Sequence, residues 1–251
     1  MNLNQLVQAN YQQFLDEAFD YCISCYLHTR STCANPQEPD FIATLVKEIN
    51  TLTCGWEAIM SSYGYKLSIT TVFCHQNPIV DYGSRPRPEL GDLLLVHVHK
   101  PSVGPEKRHA LLLQAKVTRK LTKKDLHQFN LYGTWPDFDF YRPRLSGRRS
   151  VHPKSSHNGA KYLFIDRSPY YWPFSVADVN FVLFPKQLLA QELVNLLTFS
   201  TGKSFVDKKL ATSRNDWSSV IWDLLNNSFG SVFKRKNIGL TNIHDSMGQM
   251  C

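Results

Sequence analysis

Apolar residues near the N-terminus recur at helical spacing, and further along the chain they condense into shorter runs of strand character. Tyr11, Leu15, Phe19 and Cys22 fall on one face of a helix predicted over residues 4–30. The segment STCANPQEPD breaks that period. Asp40 then stands where an N-cap would open a second helix, 41–60, whose apolar stripe begins with Leu45, Val46, Ile49 and Leu52. Three β-rich runs follow at 66–74, 92–99 and 109–117, the last two joined by the turn-forming KPSVGPEK. Thr122 and Asp125 are spaced as a capping box for a short helix through Tyr132, which Gly133 and Pro136 can end. Strands at 161–166 and 179–184 and helices at 186–197 and 217–226 follow, while residues 136–159 show no period. The pattern predicts an α/β protein with a mixed central β-sheet flanked by helices over residues 41–185, and helical extensions at 1–40 and 186–251.

Composition narrows the class. A chain of 251 residues can bury roughly three quarters of its unfolded surface, so it needs no staple to stay folded. Hydrophobic residues make up 43% and charged residues 20%, the balance of an ordinary globular protein. No apolar run reaches the roughly 18 residues of a membrane span, and MNLNQLVQANYQQF lacks the form of a secretory signal, so a cytoplasmic protein without a membrane partner is expected. The six cysteines are too scattered for a disulfide framework and are expected as thiols. Lys and Arg exceed Asp and Glu by 28 to 21, and the excess gathers at 116–124, 142–154 and 234–236. Such patches suit a polyanion, because each neutralised phosphate releases counterions.

The segment ELGDLLLVHVHKPSVGPEKRHALLLQAKV carries the chemistry. Asp92 opens one apolar strand, and Gln114-Ala115-Lys116 closes the next. Side chains alternate along a strand, so Gln114 and Lys116 share a face and Ala115 takes the other. An ammonium among such apolar neighbours needs a carboxylate or phosphate partner, and a hairpin would bring Asp92 alongside.

An Asp at the head of one strand, followed by Gln-x-Lys on the next, resembles the PD-(D/E)xK, or restriction endonuclease-like, nuclease superfamily in its QxK variant. The cover is roughly residues 41–166. The resemblance implies a restriction endonuclease-like core that hydrolyses DNA phosphodiester bonds with Mg²⁺ or Mn²⁺, double-stranded DNA being the first expected substrate. It implies that an upstream helical glutamate, Asp92, Gln114 and the Ala115 carbonyl hold the metal, and that Lys116 orients or deprotonates the attacking water. Gln114 offers a carbonyl oxygen without negative charge, which weakens metal affinity. Glu48 and Glu57 are the helical candidates; Glu48 falls within the stripe of Leu45, Ile49 and Leu52 and is preferred. Gln128 and Tyr132 resemble the Gln-x-x-x-Tyr element of RecB-like members, in which that helix borders the site. With Lys120, Arg142, Arg144, Arg148 and Arg149 they are the expected nucleic-acid contacts. The segments GDLLLV and LLLQAKV also resemble bacterial restriction and phage-defence proteins, a setting in which a homodimer or a sensor or activator protein is the expected partner.

Alternative readings stand beside this one: a nucleic-acid-binding module of the same fold without catalysis, and an RNase using the same site. A ββα nuclease built on His152, His157 and Asn158 is a third. Cys22, Cys25, His28 and Cys33 lack the second cysteine pair of a zinc site and are read as packing. GKS at 202–204 lacks the first glycine of a phosphate-binding loop, since position 197 is Leu. His97 and His99 fall on the strand face opposite Asp92 and are expected as packing or surface residues.

Overall fold

The computed structural model describes residues 1–75, 78–101, 103–117, 125–141, 145, 147–168, 172–179, 184–208, 216–228, 235, 247 and 248. Helices α1 (Leu3–Ala9), α2 (Tyr11–Thr32), α3 (Glu38–Lys47) and α4 (Ile49–Ser61) come first, and strands β1 (Ile69–Phe73), β2 (Val80–Asp81), β3 (Leu93–His99) and β4 (Lys107–Lys116) follow. Helix α5 (Asp125–Thr134) leads to β5 (Phe138–Phe140), β6 (Arg148–Arg149), β7 (Ala160–Ile165) and β8 (Phe174–Ala177). The chain continues through β9 (Gln187–Leu188), α6 (Leu189–Leu197), β10 (Lys203–Ser204), α7 (Trp217–Ser228) and β11 (Met247–Gly248).

The protein is α/β, with a mixed central sheet in the order β11-β1-β3-β4-β7-β8-β9, in which β10 also pairs with β4. Strands β1, β3 and β4 form an antiparallel meander, and β4 then pairs with β7 in parallel. A parallel neighbour requires a crossover, and this one carries α5 together with two strands of a small sheet ordered β2-β5-β6.

Both faces of the central sheet are covered, which accounts for the nearly unbroken apolar runs LLLV and ALLL. Leu93, Leu95, Leu111, Leu113, Ala115, Leu163 and Ile165 point to a core shared with α1 to α4 and α6. Leu94, Val96, Ala110, Leu112, Tyr162 and Phe164 point the other way, to a core shared with α5, α7 and the small sheet. Trp56 is buried in the first core and donates its indole N–H to the Phe14 carbonyl at 2.8 Å.

Several expectations are corrected. The helix over 41–60 is two helices, broken at Glu48, which ends α3 and precedes α4. Helix α3 starts at Glu38, not after Asp40; Asp40 lies in its first turn, accepts the Gln37 N–H at 2.8 Å and pairs with Arg235 at 2.6 Å. A strand precedes the one expected at 179–184, β8 at 174–177; residues 180–183 of the expected strand lie outside the described residues. Strands too short to show a period, β5 and β6, occupy the supposedly irregular 136–159. Within the segments expected as extensions, β9, β10 and β11 add to the central sheet and α2 packs with α6. Among the described residues no helix is long and apolar enough to cross a membrane.

Two histidines, His97 buried and His157 half-buried, impose a pH dependence. Burial holds the His97 imidazole down at about 3, and burial together with the Lys203 charge holds His157 at about 3. An unfolded histidine protonates near 6.5, so between about 6.5 and 3 the unfolded chain binds more protons and this contribution to stability rises with pH. Replacing both histidines by Gln is expected to flatten the fall in the urea midpoint between pH 7 and pH 5, relative to the native chain measured alongside.

Candidate metal centre

Asp92 stands one residue before β3, and its N–H donates to the Leu113 carbonyl of β4 at 2.9 Å. The β3–β4 register, Leu93 opposite Leu113, brings it to Gln114. The Asp92 carboxylate is buried, accepts the Ala115 N–H at 2.8 Å and accepts the Gln114 side-chain amide. Burying a carboxylate is costly unless donors meet it, and two of these donors come from the Gln-Ala-Lys tripeptide itself.

The third partner is His75, whose Nδ1 lies 2.9 Å from Asp92 Oδ1 and 3.2 Å from Glu89 Oε2. His75 follows β1, which runs antiparallel beside β3 with Phe73 opposite Leu93, so the ends of the two strands coincide. Glu89 sits three residues before Asp92, in a segment that returns past Ile79 through an isolated bridge. Among the described residues, His75, Glu89 and Asp92 form the one group of three or more His, Cys, Asp or Glu side chains whose donor atoms lie within 4.8 Å of one another. The Cys22, Cys25, His28 and Cys33 set forms no such group, and Cys22, Cys25 and Cys33 are buried thiols.

Electrostatics already favour a cation here. Burial acts to lower His75, but hydrogen bonds to Asp92 and Glu89 and the charges of both raise its pKa to about 9. Burial pushes the Asp92 carboxyl up to about 6 against the His75 hydrogen bond, with the Glu89 charge acting in the same upward direction. One further atom is unprovided for. Gln114 is 4% exposed and spends its amide N–H on Asp92, while its Oε1 has no hydrogen-bond partner. An imidazole nitrogen, two carboxylates and an orphaned amide carbonyl make a donor set that fits a divalent cation.

Lys116 closes the same strand end. Its ammonium pairs with Asp125 at 2.8 Å, at the start of α5. Burial would lower its pKa, but the Asp125 hydrogen bond and the charges of Glu38, Asp125 and Asp92 outweigh that and keep it protonated. Glu38 reaches this edge from the start of α3 and accepts the Val117 N–H at 2.9 Å.

The structure thus brings together Asp92, Gln114, Ala115 and Lys116, and it does not bring Glu48 to them. The break between α3 and α4 leaves Glu48 partly exposed and paired with Lys47 at 3.1 Å. It faces a cleft lined by Tyr21, Cys25 and His28, in the helical layer across the sheet from the α5 side on which Gln114 and Leu112 point. Glu57 instead accepts the Leu67 N–H at 3.4 Å. His75 and Glu89 were missed. The signal available was the Glu-x-x-Asp spacing in ELGD and a histidine just past the first strand.

The expected nucleic-acid contacts are redistributed. Gln128 and Tyr132 are buried; Gln128 donates to the Glu89 carbonyl and the Tyr132 hydroxyl to the Leu90 carbonyl, each at 2.7 Å. Both therefore clamp the backbone leading into Asp92 and present nothing to a ligand. Gly91 permits this approach, since a Cβ there would stand 2.7 Å from Leu112 and 2.9 Å from the Tyr132 hydroxyl. Arg149 is buried against Asp223 at 2.7 Å, whereas Arg148 is exposed and lies 3.5 Å from Asp137. Lys120, Arg142, Arg144 and Thr122 lie outside the described residues. His97 packs in the interior against Phe199. His157 is stacked on Trp135 and held near pKa 3, which unsuits it as the base of a ββα site. Comparison with protein-family models, with curated proteins and with solved structures gives no match to this chain.

The clamp has a measurable cost of removal. Tyr132→Phe strips the Leu90 carbonyl of its donor in a buried setting and is expected to lower stability by about 1–2 kcal/mol in urea denaturation. An unchanged midpoint would show that the hydroxyl does not secure this segment.

Proposed function

We propose that this chain is a metal-dependent nuclease of the PD-(D/E)xK type, with double-stranded DNA as its first substrate. The observation that carries the reading is the shared sheet end, where Asp92, the orphaned Gln114 carbonyl and the Lys116 ammonium gather beside His75 and Glu89. A divalent ion held there would stabilise charge on the phosphorane and supply a nucleophilic water at neutral pH. Lys116 provides fixed positive charge next to that position and holds the attacking water through its ammonium protons. Asp125 shares the ammonium and keeps it oriented from the start of α5. Water would add to phosphorus as the ester bond to the leaving oxygen breaks, the water giving up one proton to solvent and the leaving oxygen taking one up. The exposed Arg148 and the basic excess of the chain favour a polyanionic substrate.

The engagement of Lys116 with Asp125 also favours a second reading, a nucleic-acid-binding protein of this fold without catalysis. Labelled duplex DNA, single-stranded DNA and RNA, each incubated with Mg²⁺, Mn²⁺ or chelator, separate the readings. Cleavage is expected for duplex DNA with metal and not with chelator, and Lys116→Ala and Asp92→Asn are each expected to reduce it at least about a hundredfold. Cleavage undiminished in Lys116→Ala sinks the assignment. Binding without cleavage under every metal condition selects the second reading, and cleavage confined to RNA makes the protein an RNase.

A further inference from the structure

We propose that the pocket formed by His75, Glu89, Asp92 and the Gln114 carbonyl is a transition-metal site, selective for ions of the Mn²⁺ to Zn²⁺ series over Mg²⁺. The inference rests on reading this sheet end as a metal centre, but not on catalysis there.

The donor set carries the selectivity. Mg²⁺ takes oxygen ligands and keeps much of its water, whereas imidazole nitrogen is a favoured ligand of later first-row ions. His75 enters with Nδ1 foremost, the same atom lying 2.9 Å from Asp92 Oδ1 and 3.2 Å from Glu89 Oε2. Donors bound about 2.1 Å from one ion stand roughly 3–4 Å apart, so these atoms need only small shifts to share one. In the ion-free arrangement the imidazole proton occupies the space between the two carboxylates.

Gln114 supplies the independent observation. It is 4% exposed, its Nε2 touches Asp92, and its Oε1 has no partner. Half a turn about the last side-chain bond would set that oxygen against the Asp92 carboxylate, an arrangement that needs a cation between the two oxygens. The rest of the frame is held in advance: the Ala115 N–H fixes Asp92, and Gln128 and Tyr132 fix the backbone of Glu89 and Leu90. The His75 and Glu89 side chains are 18% and 25% exposed against 3% for Asp92, so the pocket opens on one side, where water or a phosphate can reach the ion.

The test is titration of the full chain, stripped of metal, with MnCl₂, ZnCl₂, CoCl₂ and MgCl₂ by calorimetry, with the visible spectrum followed for Co²⁺. One Mn²⁺ or Zn²⁺ per chain is expected, bound at least tenfold more tightly than Mg²⁺. His75→Gln, checked for folding by thermal melting, is expected to weaken Zn²⁺ at least tenfold, to change Mg²⁺ less than threefold, and to alter the Co²⁺ bands. Gln114→Leu, which keeps volume without a carbonyl, is expected to weaken Mn²⁺ and Zn²⁺ and serves if His75→Gln does not fold. Equal affinities for Mg²⁺ and Zn²⁺, or Co²⁺ bands indifferent to His75, overturn the inference. The nuclease reading fails separately: selective binding with no cleavage leaves this site standing, and metal-supported cleavage by a chain that binds Zn²⁺ no more tightly than Mg²⁺ leaves the nuclease and removes the site.

Discussion

Asp92 is a carboxylate taken out of water at the end of a β-strand, and the surrounding structure is arranged to make that tolerable. A buried charge without partners would shift to its neutral form or unfold its surroundings. Three donors meet this one: the Ala115 N–H, the Gln114 amide and His75 Nδ1. The residue's own N–H is spent on the Leu113 carbonyl, so backbone and side chain both tie it to β4. Moving the β3–β4 register by one residue would send the carboxylate into the opposite core, where Leu113 and Ala115 point. The register of this hairpin and the chemistry of its open end are therefore one constraint.

The parallel step from β4 to β7 has a consequence at the same place. A parallel connection sends the chain out and back over one face, and the crossover lays α5 against the segment that delivers Asp92. Gln128 and Tyr132, one turn apart on that helix, each satisfy a buried carbonyl just upstream of the strand. Buried backbone carbonyls need partners, and here the partners also set the position of two acidic side chains. Side chains that look like ligand contacts in a linear motif act instead on protein backbone, one step removed from the pocket.

Legibility followed the range of the interactions. The apolar runs at β3, β4 and β7 are legible because each strand is buried on both faces. The hairpin does bring Asp92 alongside the strand of Lys116, but the carboxylate expected to partner that ammonium meets Gln114 and the Ala115 N–H, and the ammonium takes Asp125 from the start of α5. Glu48 does not reach the site, which the sequence hides because a continuous stripe of Leu45, Ile49 and Leu52 does not reveal the break between α3 and α4, which keeps those apolar residues buried and turns Glu48 toward Lys47. His75 and Glu89 leave only a faint mark in the sequence, for a different reason. They reach Asp92 through the β1–β3 pairing and the Ile79–Glu89 bridge, contacts that depend on tertiary register and leave no periodic trace. Strands of two or three residues, such as β5 and β6, are shorter than the window in which a period can be recognised.

Acidic groups reach this sheet end from several elements: Glu38, Glu89, Asp92 and Asp125 lie around the two cations Lys116 and protonated His75. Repulsion between neighbouring carboxylates opposes folding, and each cation is shared between acids that would otherwise face one another. Were a divalent ion held here, His75 would give up its proton to solvent, and an imidazolium that spaces the carboxylates would become a neutral ligand. Lys116 keeps its charge throughout, held by Asp125 and Glu38 from elements on either side of β4. The same strand end thus presents one cation fixed by the fold, Lys116, and beside it an imidazolium held between two carboxylates.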